Sequence, residues 1–460
     1  MISLPLYDQM WLCAHHRLTN ARRRPLRIPG KAPRKRERAM IGTILKKHRS
    51  GKALMVMGLS CLLALALGVL VLAPQPAQAA EKELRIGLLT SFKMECGQAS
   101  INAANMAAKE LNAQGGVLGR KVKIFVADSE SNPEKGITAL KRLVEKDKVH
   151  ILAGGAMSGV VLAAMDYLKR YNIIFMSTGV SSPMIGGKVA KDYNKYKYQF
   201  RTTINALNLA NAIIKDELAL MVKHGYTKFA VLAEDAAWNR GLVGFLQKNI
   251  PSVGGQVVAT EKFDPATADF APIFSKIAAS GAQVAVPLLA HTDAVSFFKQ
   301  YNAMKAPFRL AGFNNPGLHA EFWEKTGGAA VGEVNVAWGA LIRSKITDKT
   351  VPFFDQYRKQ FKGAPHGCAS TTYDGVMVLA DAAKRAKGFK TDALVVALEG
   401  TDYIGTAGRV VFDKKTHDAK YSPDFIPFLI TQWQAGGKWA ILVPARFATS
   451  QFQNPPWLKK

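Results

Sequence analysis

The sequence predicts a doubly wound α/β fold, and the order of its first segments supports that prediction. Short apolar segments at 83–91, 121–128 and 149–155 are typical of buried parallel strands. Amphipathic segments at 98–114 and 133–147 lie between them and are predicted helices. A strand–helix–strand–helix–strand order is typical of a parallel sheet covered by helices on both faces.

The length of the chain and a second series of alternating strands and helices predict two such domains. An extended segment at 198–203 leads into predicted strands at 228–234, 256–263, 283–289 and 308–312, each separated from the next by a predicted helix. A further extended segment (334–340), two helices (351–361 and 370–387) and three terminal strands (405–412, 426–434 and 439–443) follow. A chain of this length is expected to divide into two domains rather than one.

The N-terminal region predicts export from the cytoplasm. Residues 53–73 carry no charge, basic residues precede them at 46–52, and the small-residue site Ala77-x-Ala79 follows. This pattern is typical of a secretory signal peptide at 40–80 that is cleaved after Ala79 or Ala80. An uncleaved membrane anchor is the alternative, because the apolar run is long enough to span a bilayer. The segment 1–39 is either a basic disordered tail or an over-long gene start.

The net charge and the cysteines limit the classes of function that remain possible. The formal net charge is +28, but the lysines are spread along the predicted helices with no patch of interleaved aromatic residues. This distribution indicates a solvated cationic surface and no nucleic-acid partner. Cys96 and Cys368 are the cysteines that remain after cleavage. In an oxidising compartment they either form a disulfide or remain two buried thiols. Their spacing in the sequence does not decide between these alternatives.

No motif for catalysis, cofactor binding or a structural metal is found. The sequence lacks a dinucleotide-binding glycine loop, a phosphate-binding P-loop, a zinc-protease motif and a serine-nucleophile elbow. The segment 154–159 is rich in glycine and follows a strand, but it lacks the lysine and the third glycine that nucleotide loops use. We therefore expect no enzyme, no cofactor and no metal.

Polar residues lie instead where the predicted strands end. Ligands of open α/β sheets bind beyond the carboxyl ends of the strands. The corresponding positions combine hydroxyls, helix starts, a tryptophan, a histidine and an asparagine: 92–97, 158, 178–182, 235–240, 290–293 and 313–316. Such a set is suited to enclosing a small polar or aromatic molecule. The helix starts after Ser158 and Ser181 favour a carboxylate.

With these segments, the chain resembles the type I periplasmic binding proteins of branched-chain amino-acid and amide transport. The resemblance covers most of 82–444 and is carried by the segments 86–90, 110–120, 153–159, 372–375 and 405–413. It implies two Rossmann-like lobes joined by three crossover segments, with a cleft between them. Lobe 1 is expected at 82–200 and 341–405, lobe 2 at 201–340 and 406–450, and a C-terminal tail at 451–460.

The resemblance also implies a carboxylate clamp on lobe 1. Ser158 matches the family serine that meets the ligand carboxylate, and Gly179 and Ser181 match the loop that completes the clamp. The alternative for both serines is that they only cap helices.

On lobe 2, the resemblance implies an aromatic wall. Trp238 stands at an aromatic position of the family, and His291 lies near a second one. The alternatives are an exposed or core tryptophan and a surface histidine. Asn314 falls where amino-acid binders often carry an acid for the ligand ammonium, so an aromatic carboxylate or an amide competes with a plain amino acid.

The resemblance further implies a monomeric periplasmic receptor that delivers a captured solute to an inner-membrane ABC permease. A sensory ligand-binding protein that reports to a membrane signalling partner is the alternative.

Overall fold

The structure of the protein, a computed structural model, describes residues 83–236 and 238–458. The predicted signal peptide and the basic tail at 1–80 lie outside these residues. Within the described ranges, no helix combines the length and the apolar character needed to cross a membrane.

Five parallel strands form the first sheet, in the order β2-β1-β3-β4-β5. Their bounds are β1 Glu83–Thr90, β2 Lys121–Asp128, β3 Ile151–Gly154, β4 Phe175–Ser177 and β5 Gln199–Arg201. The central strand β3 is buried along its whole length, as expected when helices cover both faces of a parallel sheet.

The helices of this first part are α1 Glu95–Ala113, α2 Pro133–Lys141, α3 Ser158–Tyr171, α4 Pro183–Lys191 and α5 Tyr193–Tyr196. A π-helical turn, Arg142–Lys146, continues α2. A helix start after Ser181 was expected from the sequence, but the extent of α4 was not predicted. Ser182 caps it by accepting from the backbone N–H of Met184, and Pro183 occupies its first position.

Seven strands form the second sheet, in the order β14-β13-β10-β9-β8-β6-β7. Their bounds are β6 Lys228–Glu234, β7 Gln256–Phe263, β8 Val284–Leu289, β9 Arg309–Asn314, β10 Val334–Trp338, β13 Phe428–Gln434 and β14 Lys438–Val443. Strand β13 pairs antiparallel with β10 and β14, whereas the strands from β10 to β7 are parallel. The predicted strands 228–234 and 256–263 coincide with β6 and β7.

The helices around this sheet are α6 Ala206–Ala212, α7 Ala219–Lys223, α8 Arg240–Asn249, α9 Ala271–Ala279, α10 Ala294–Ala303 and α11 Phe322–Thr326. A π-helical segment, Ile213–Leu218, joins α6 to α7. A short 3-10 turn, Pro316–Leu318, follows β9.

After β10 the chain returns to the first sheet through α12 Thr350–Phe361, α13 Gly367–Arg385 and α14 Thr391–Glu399. Helix α13 packs against α1, and its buried residues join the core of the first sheet. Two bodies result, one with a parallel sheet and one with a mainly parallel sheet, each built from interrupted stretches of chain, as the predicted fold class requires. The residue limits given above for the two lobes stay predictions.

The predicted strand at 405–412 is wrong over most of its length. A small hairpin stands there, β11 Tyr403–Ile404 with β12 Arg409–Val410. The carboxylate of Asp374 on α13 accepts from the backbone N–H groups of Thr406 and Ala407, at 2.8 and 3.2 Å. Those donors are therefore unavailable to a strand ladder.

Candidate solute-binding site

A pocket of about 340 Å³ lies between segments that belong to the two sheets. On the first side it is lined by the residues that open α1 and by His366, which precedes α13. On the second side it is lined by residues that follow β8 and β9. The lining residues include Met94, Cys96, Ala290, Asn315, Pro316, Phe322 and Lys325. The pocket therefore lies beyond the carboxyl ends of parallel strands, where ligands of such sheets bind.

One hydrogen-bonded pair of side chains in the pocket lining joins the two sides. Glu95, in the first turn of α1, has its Oε2 2.9 Å from Nε2 of His319, which follows β9. The hydrogen bond from His319 is the main reason that the pKa of Glu95 falls to about 2. Glu95 is therefore a carboxylate at neutral pH, and the contact is charge-assisted.

A disulfide fixes the first wall of the pocket. Cys96 and Cys368 are bonded, with their Cα atoms 5.3 Å apart, although 272 positions separate them in sequence. Each is the second residue of its helix, α1 or α13, so the bond joins two helix N-termini. Of the two alternatives that the sequence leaves open, the structure shows the disulfide.

His366 stands beside this disulfide and caps α13. Its Nδ1 accepts from the backbone N–H of Cys368 at 3.0 Å, so the ring proton of the neutral imidazole is on Nε2. Burial lowers the pKa of His366 to about 3, and the ring is neutral at physiological pH. His366, Cys96 and Cys368 are the one grouping of potential metal ligands among the described residues. The two sulfurs are bonded to each other, so the oxidised protein has no thiolate to offer a metal.

Gly179, predicted as part of the clamp, packs against the disulfide. A Cβ atom at this position would lie 2.5 Å from Sγ of Cys96 and 2.7 Å from the carbonyl oxygen of Gly155. Both distances are below any real contact, so only glycine fits here without a shift of the loop. The loop after β4 is thus connected to the disulfide wall of the pocket.

The two predicted clamp serines lie close together in this loop region. Ser158 is the first residue of α3, and its hydroxyl accepts from the backbone N–H of Ser182 at 3.3 Å. The carbonyl of Ser181 accepts from Ala206 N–H at 2.8 Å. The helix that was expected to start after Ser181 is capped by Ser182 and begins at Pro183.

Arg201, which the sequence did not single out, braces the same loop. It is fully buried and pairs with Asp418 through two bonds, Nε to Oδ1 at 2.8 Å and Nη2 to Oδ2 at 2.6 Å. Its Nη1 donates to the carbonyl of Ser182 at 2.8 Å. A buried Arg with a bidentate carboxylate partner is a rigid support, so the loop that carries Ser181 has a fixed base.

On the second side, Glu234 connects the two predicted wall residues. Its Oε1 accepts from Nε1 of Trp238 at 2.8 Å and lies 2.7 Å from Nδ1 of His291. Burial opposes the charge of Glu234, but these bonds and backbone N–H donors outweigh it and lower its pKa to about 2. The same hydrogen bond raises the pKa of His291. An acid directly after the apolar residues 229–233 is the sequence feature that marks Glu234.

Asn314 lies deeper than expected. It is buried at the end of β9, its Nδ2 donates to Oε1 of Glu333 at 2.7 Å, and Gly317 packs directly over the pair. Its neighbours Asn315 and Pro316 line the pocket. Burial raises the pKa of Glu333 to about 8, so this carboxyl is largely protonated at neutral pH.

A row of aromatic rings connects the Trp238 side with the pocket. Trp238 contacts Phe313 at 5.5 Å between ring centroids, Phe313 contacts Trp338 at 5.8 Å, and Trp338 contacts His366 at 6.5 Å. His366 in turn lies 5.1 Å from His319. None of the six predicted residues lines the 340 Å³ pocket itself. Trp238 is the one of them that this row joins to the pocket lining.

A sequence profile described as periplasmic binding protein matches residues 83–438. The chain belongs to the periplasmic binding protein family. Members of this family are solute-binding proteins, and the family assignment made from the sequence motifs is confirmed. The Leu/Ile/Val-binding protein homolog 7 of Brucella suis is 22% identical over 415 residues, which cover 86% of this chain and 99% of that protein. Homolog 8 of Brucella abortus is 24% identical over 320 residues, covering 66% of this chain and 76% of that protein.

Solved structures share the fold. A putative branched-chain amino acid ABC transporter protein from Silicibacter pomeroyi has a TM-score of 0.72 at 20% identity, covering 82% of this chain and 100% of that one. A solute-binding protein from Rhodopseudomonas palustris BisB5, in complex with 3,4-dihydroxybenzoic acid, has a TM-score of 0.66 at 21% identity, with 82% and 99% covered. LivJ from Streptococcus pneumoniae, in complex with isoleucine, has a TM-score of 0.67 at 21% identity, with 79% and 100% covered. The type I fold predicted from the sequence is confirmed.

Proposed function

We propose that this protein is a monomeric periplasmic receptor that captures a small organic solute and delivers it to an inner-membrane ABC permease. The observation that carries the proposal is the 340 Å³ pocket, whose lining comes from segments of both sheets and is joined by the Glu95–His319 pair. A site built in this way gains its contacts only when the two sides are close together. Ligand binding then favours the closed arrangement.

The solute in this proposal is an amino acid or an aromatic or other organic carboxylate. The Streptococcus relative was solved with isoleucine and the Rhodopseudomonas relative with a dihydroxybenzoic acid. On the first side, Ser158, Ser181 and the nearby helix starts offer donors to a carboxylate. We assign to Ser158 and Ser181 the clamp that the resemblance implies, and to Gly179 the close backbone approach.

A binding panel tests the function directly. The mature chain, residues 81–460, is expected to show a higher melting temperature with at least one of leucine, isoleucine, benzoate, 4-hydroxybenzoate and 3,4-dihydroxybenzoate. Small-angle scattering should show a smaller radius of gyration at saturation. Ser158→Ala and Ser181→Ala should each lower the affinity for a carboxylate solute about tenfold, because a hydrogen bond to a charged group is lost.

Two results would contradict these assignments. A flat melting temperature across the panel and its amide analogues counts against the receptor. Wild-type affinity in both serine variants counts against the clamp. N-terminal sequencing of the exported chain tests the expected start near Ala80, since a mature chain that still contains Leu72 excludes the cleavage.

A further inference from the structure

All the described contacts of the Glu234 carboxylate lie on one small surface on the second side, formed by Trp238 and residues 290–292. Oε1 holds the side chains of Trp238 and His291, and Oε2 accepts from the backbone N–H groups of Ala290 and Thr292, each at 3.1 Å. The hydroxyl of Thr292 donates to Oε2 as well, at 2.8 Å. Glu234 itself is 1% exposed. The carboxylate of Glu234 therefore holds this surface in place and does not contact solvent or solute.

These bonds decide what Trp238 and His291 have left to offer. The indole N–H of Trp238 is already committed to Glu234, so the partly exposed ring presents its π surface; Phe313 contacts the ring in a T-shaped arrangement. Nδ1 of His291 is committed as well, while the side chain is 49% exposed. Nε2 is thus the atom of His291 that remains for a solute.

We propose that Glu234 is the positioning residue of a solute-binding wall, which we call the Trp238–His291 wall, and that this wall selects a planar organic acid. This inference rests on the proposed function and adds the class of solute. The ring face of Trp238 would stack on the planar body of the solute, and Nε2–H of His291 would donate to an acceptor or anionic group at its edge.

The donor on His291 depends on pH in a defined way. With the Nδ1 proton held by Glu234, Nε2 carries a proton only while the ring is an imidazolium, and it becomes an acceptor when the ring loses that proton. Glu234 is the charged group packed against the ring. Of the acids nearby in sequence, Asp293 is directed to Ser296 in the first turn of α10, and Asp235 is exposed. Glu234 therefore extends the pH range in which the wall accepts an anion.

The test uses benzoate, its neutral analogue benzamide, and leucine, each titrated calorimetrically from pH 5.5 to 8.5. Trp238→Phe keeps an aromatic ring but removes the N–H that Glu234 holds, and His291→Phe keeps a ring but removes both nitrogens. Each substitution should lower the affinity for benzoate about tenfold. In His291→Phe, the affinity for benzamide should change less than the affinity for benzoate. Glu261→Gln, on β7 in a surface pair with Lys276, is the matched control and should bind as wild type.

The pH profile separates positioning from a purely structural role. Wild-type affinity for benzoate should fall as pH rises through the titration of His291. That fall should vanish in His291→Phe and move to lower pH in Glu234→Gln, with the NMR titration of the His291 ring moving in parallel. If Glu234→Gln does not fold, the other two variants carry the test, because both keep the buried carboxylate.

The outcomes distinguish this inference from the proposed function. Wild-type protein that binds leucine but not benzoate overturns the planar-acid class and leaves the receptor intact. Benzoate affinity and pH profile unchanged in Trp238→Phe and His291→Phe overturn the wall. Wild-type protein that binds no solute at all contradicts the receptor and this inference together.

Discussion

Glu95 and His319 are paired at 2.9 Å across the two sides of the pocket, one at the first turn of α1 and the other after β9. Their side chains differ in exposure, 67% for Glu95 and 17% for His319. An ion pair with one exposed partner contributes little to stability, typically below about 1 kcal/mol. Its position matters more than its strength, because it forms only when the two sides are close.

His319→Gln should therefore favour the open arrangement. We expect solute affinity to fall about two- to fivefold, which is what a contact of up to about 1 kcal/mol contributes to closure. The ligand-free variant should also have a larger radius of gyration by small-angle scattering. Salt screens exposed pairs, so the difference from wild type should shrink at 1 M salt. Lys299→Gln, on the exposed face of α10, is the control; equal radii for wild type and His319→Gln would refute this role.

Loss of the disulfide should destabilise the protein. The bond closes a loop of 272 positions, and a disulfide of this kind typically contributes about 2–4 kcal/mol to the free energy of unfolding. The Cys96→Ala/Cys368→Ala variant should unfold at lower urea concentration than the oxidised wild type. A reducing agent should lower the wild-type midpoint and leave the variant unchanged. Equal midpoints in oxidised and reduced wild type would show that the bond is not stabilising.

Much of the fold could be predicted because buried parallel strands have a direct sequence pattern. Strand β8 is apolar and buried along its whole length and lies within the predicted 283–289, and β6 is apolar between Lys228 and Glu234, so their limits follow from the residues themselves. The extent of α4 was not predicted because its apolar pattern is short, and Ile185 and Val189 are its only large apolar residues that turn inward. Its capping serine and Pro183 were the available evidence.

The site was less predictable because its contacts join distant segments. Trp238 and His291 were predicted as site residues from their place after strands, but the residue that holds both, Glu234, is 57 positions from His291. Glu95 and His319 likewise meet only in the folded protein. Asn314 was placed correctly at a strand end, yet its side chain is directed to Glu333, since the turn at Gly317 covers it. Position along a strand does not decide which way the terminal side chain points.

Gly179→Ala should disturb both the disulfide wall and the clamp loop. The added methyl group meets Sγ of Cys96 and the carbonyl of Gly155, and overpacking of this kind typically costs about 1–3 kcal/mol. We expect a lower melting temperature and weaker solute binding. Gly187→Ala, in α4 where a Cβ meets nothing within 4 Å, should be neutral or slightly stabilising. In the Cys96→Ala/Cys368→Ala background the cost of Gly179→Ala should become smaller; an undiminished cost would show that Gly155 alone causes it.

Glu333 should make the protein less stable as pH rises. Burial raises its pKa from about 4.5 to about 8, so the folded state keeps a proton that the unfolded chain releases between these values. The unfolded state therefore binds fewer protons across this window. The free energy of unfolding then falls with rising pH, at about 1.4 kcal/mol per unit for one group, and stops falling above the folded pKa.

Glu333→Gln replaces the carboxyl by a neutral group of the same shape and should remove this dependence. Between pH 5.5 and 7.5, the wild-type free energy of unfolding should drop on the order of 2 kcal/mol more than that of the variant. Urea denaturation at the two pH values measures the difference. Burial also raises the pKa of Glu217 well above its usual value, and the charge of Glu333 raises it further. Burial is the larger cause and is the same in both proteins, so most of the contribution of Glu217 cancels. Glu324→Gln, at an exposed position of α11, should leave the wild-type slope unchanged. Parallel slopes for wild type and Glu333→Gln would mean that Glu333 is charged in the folded protein.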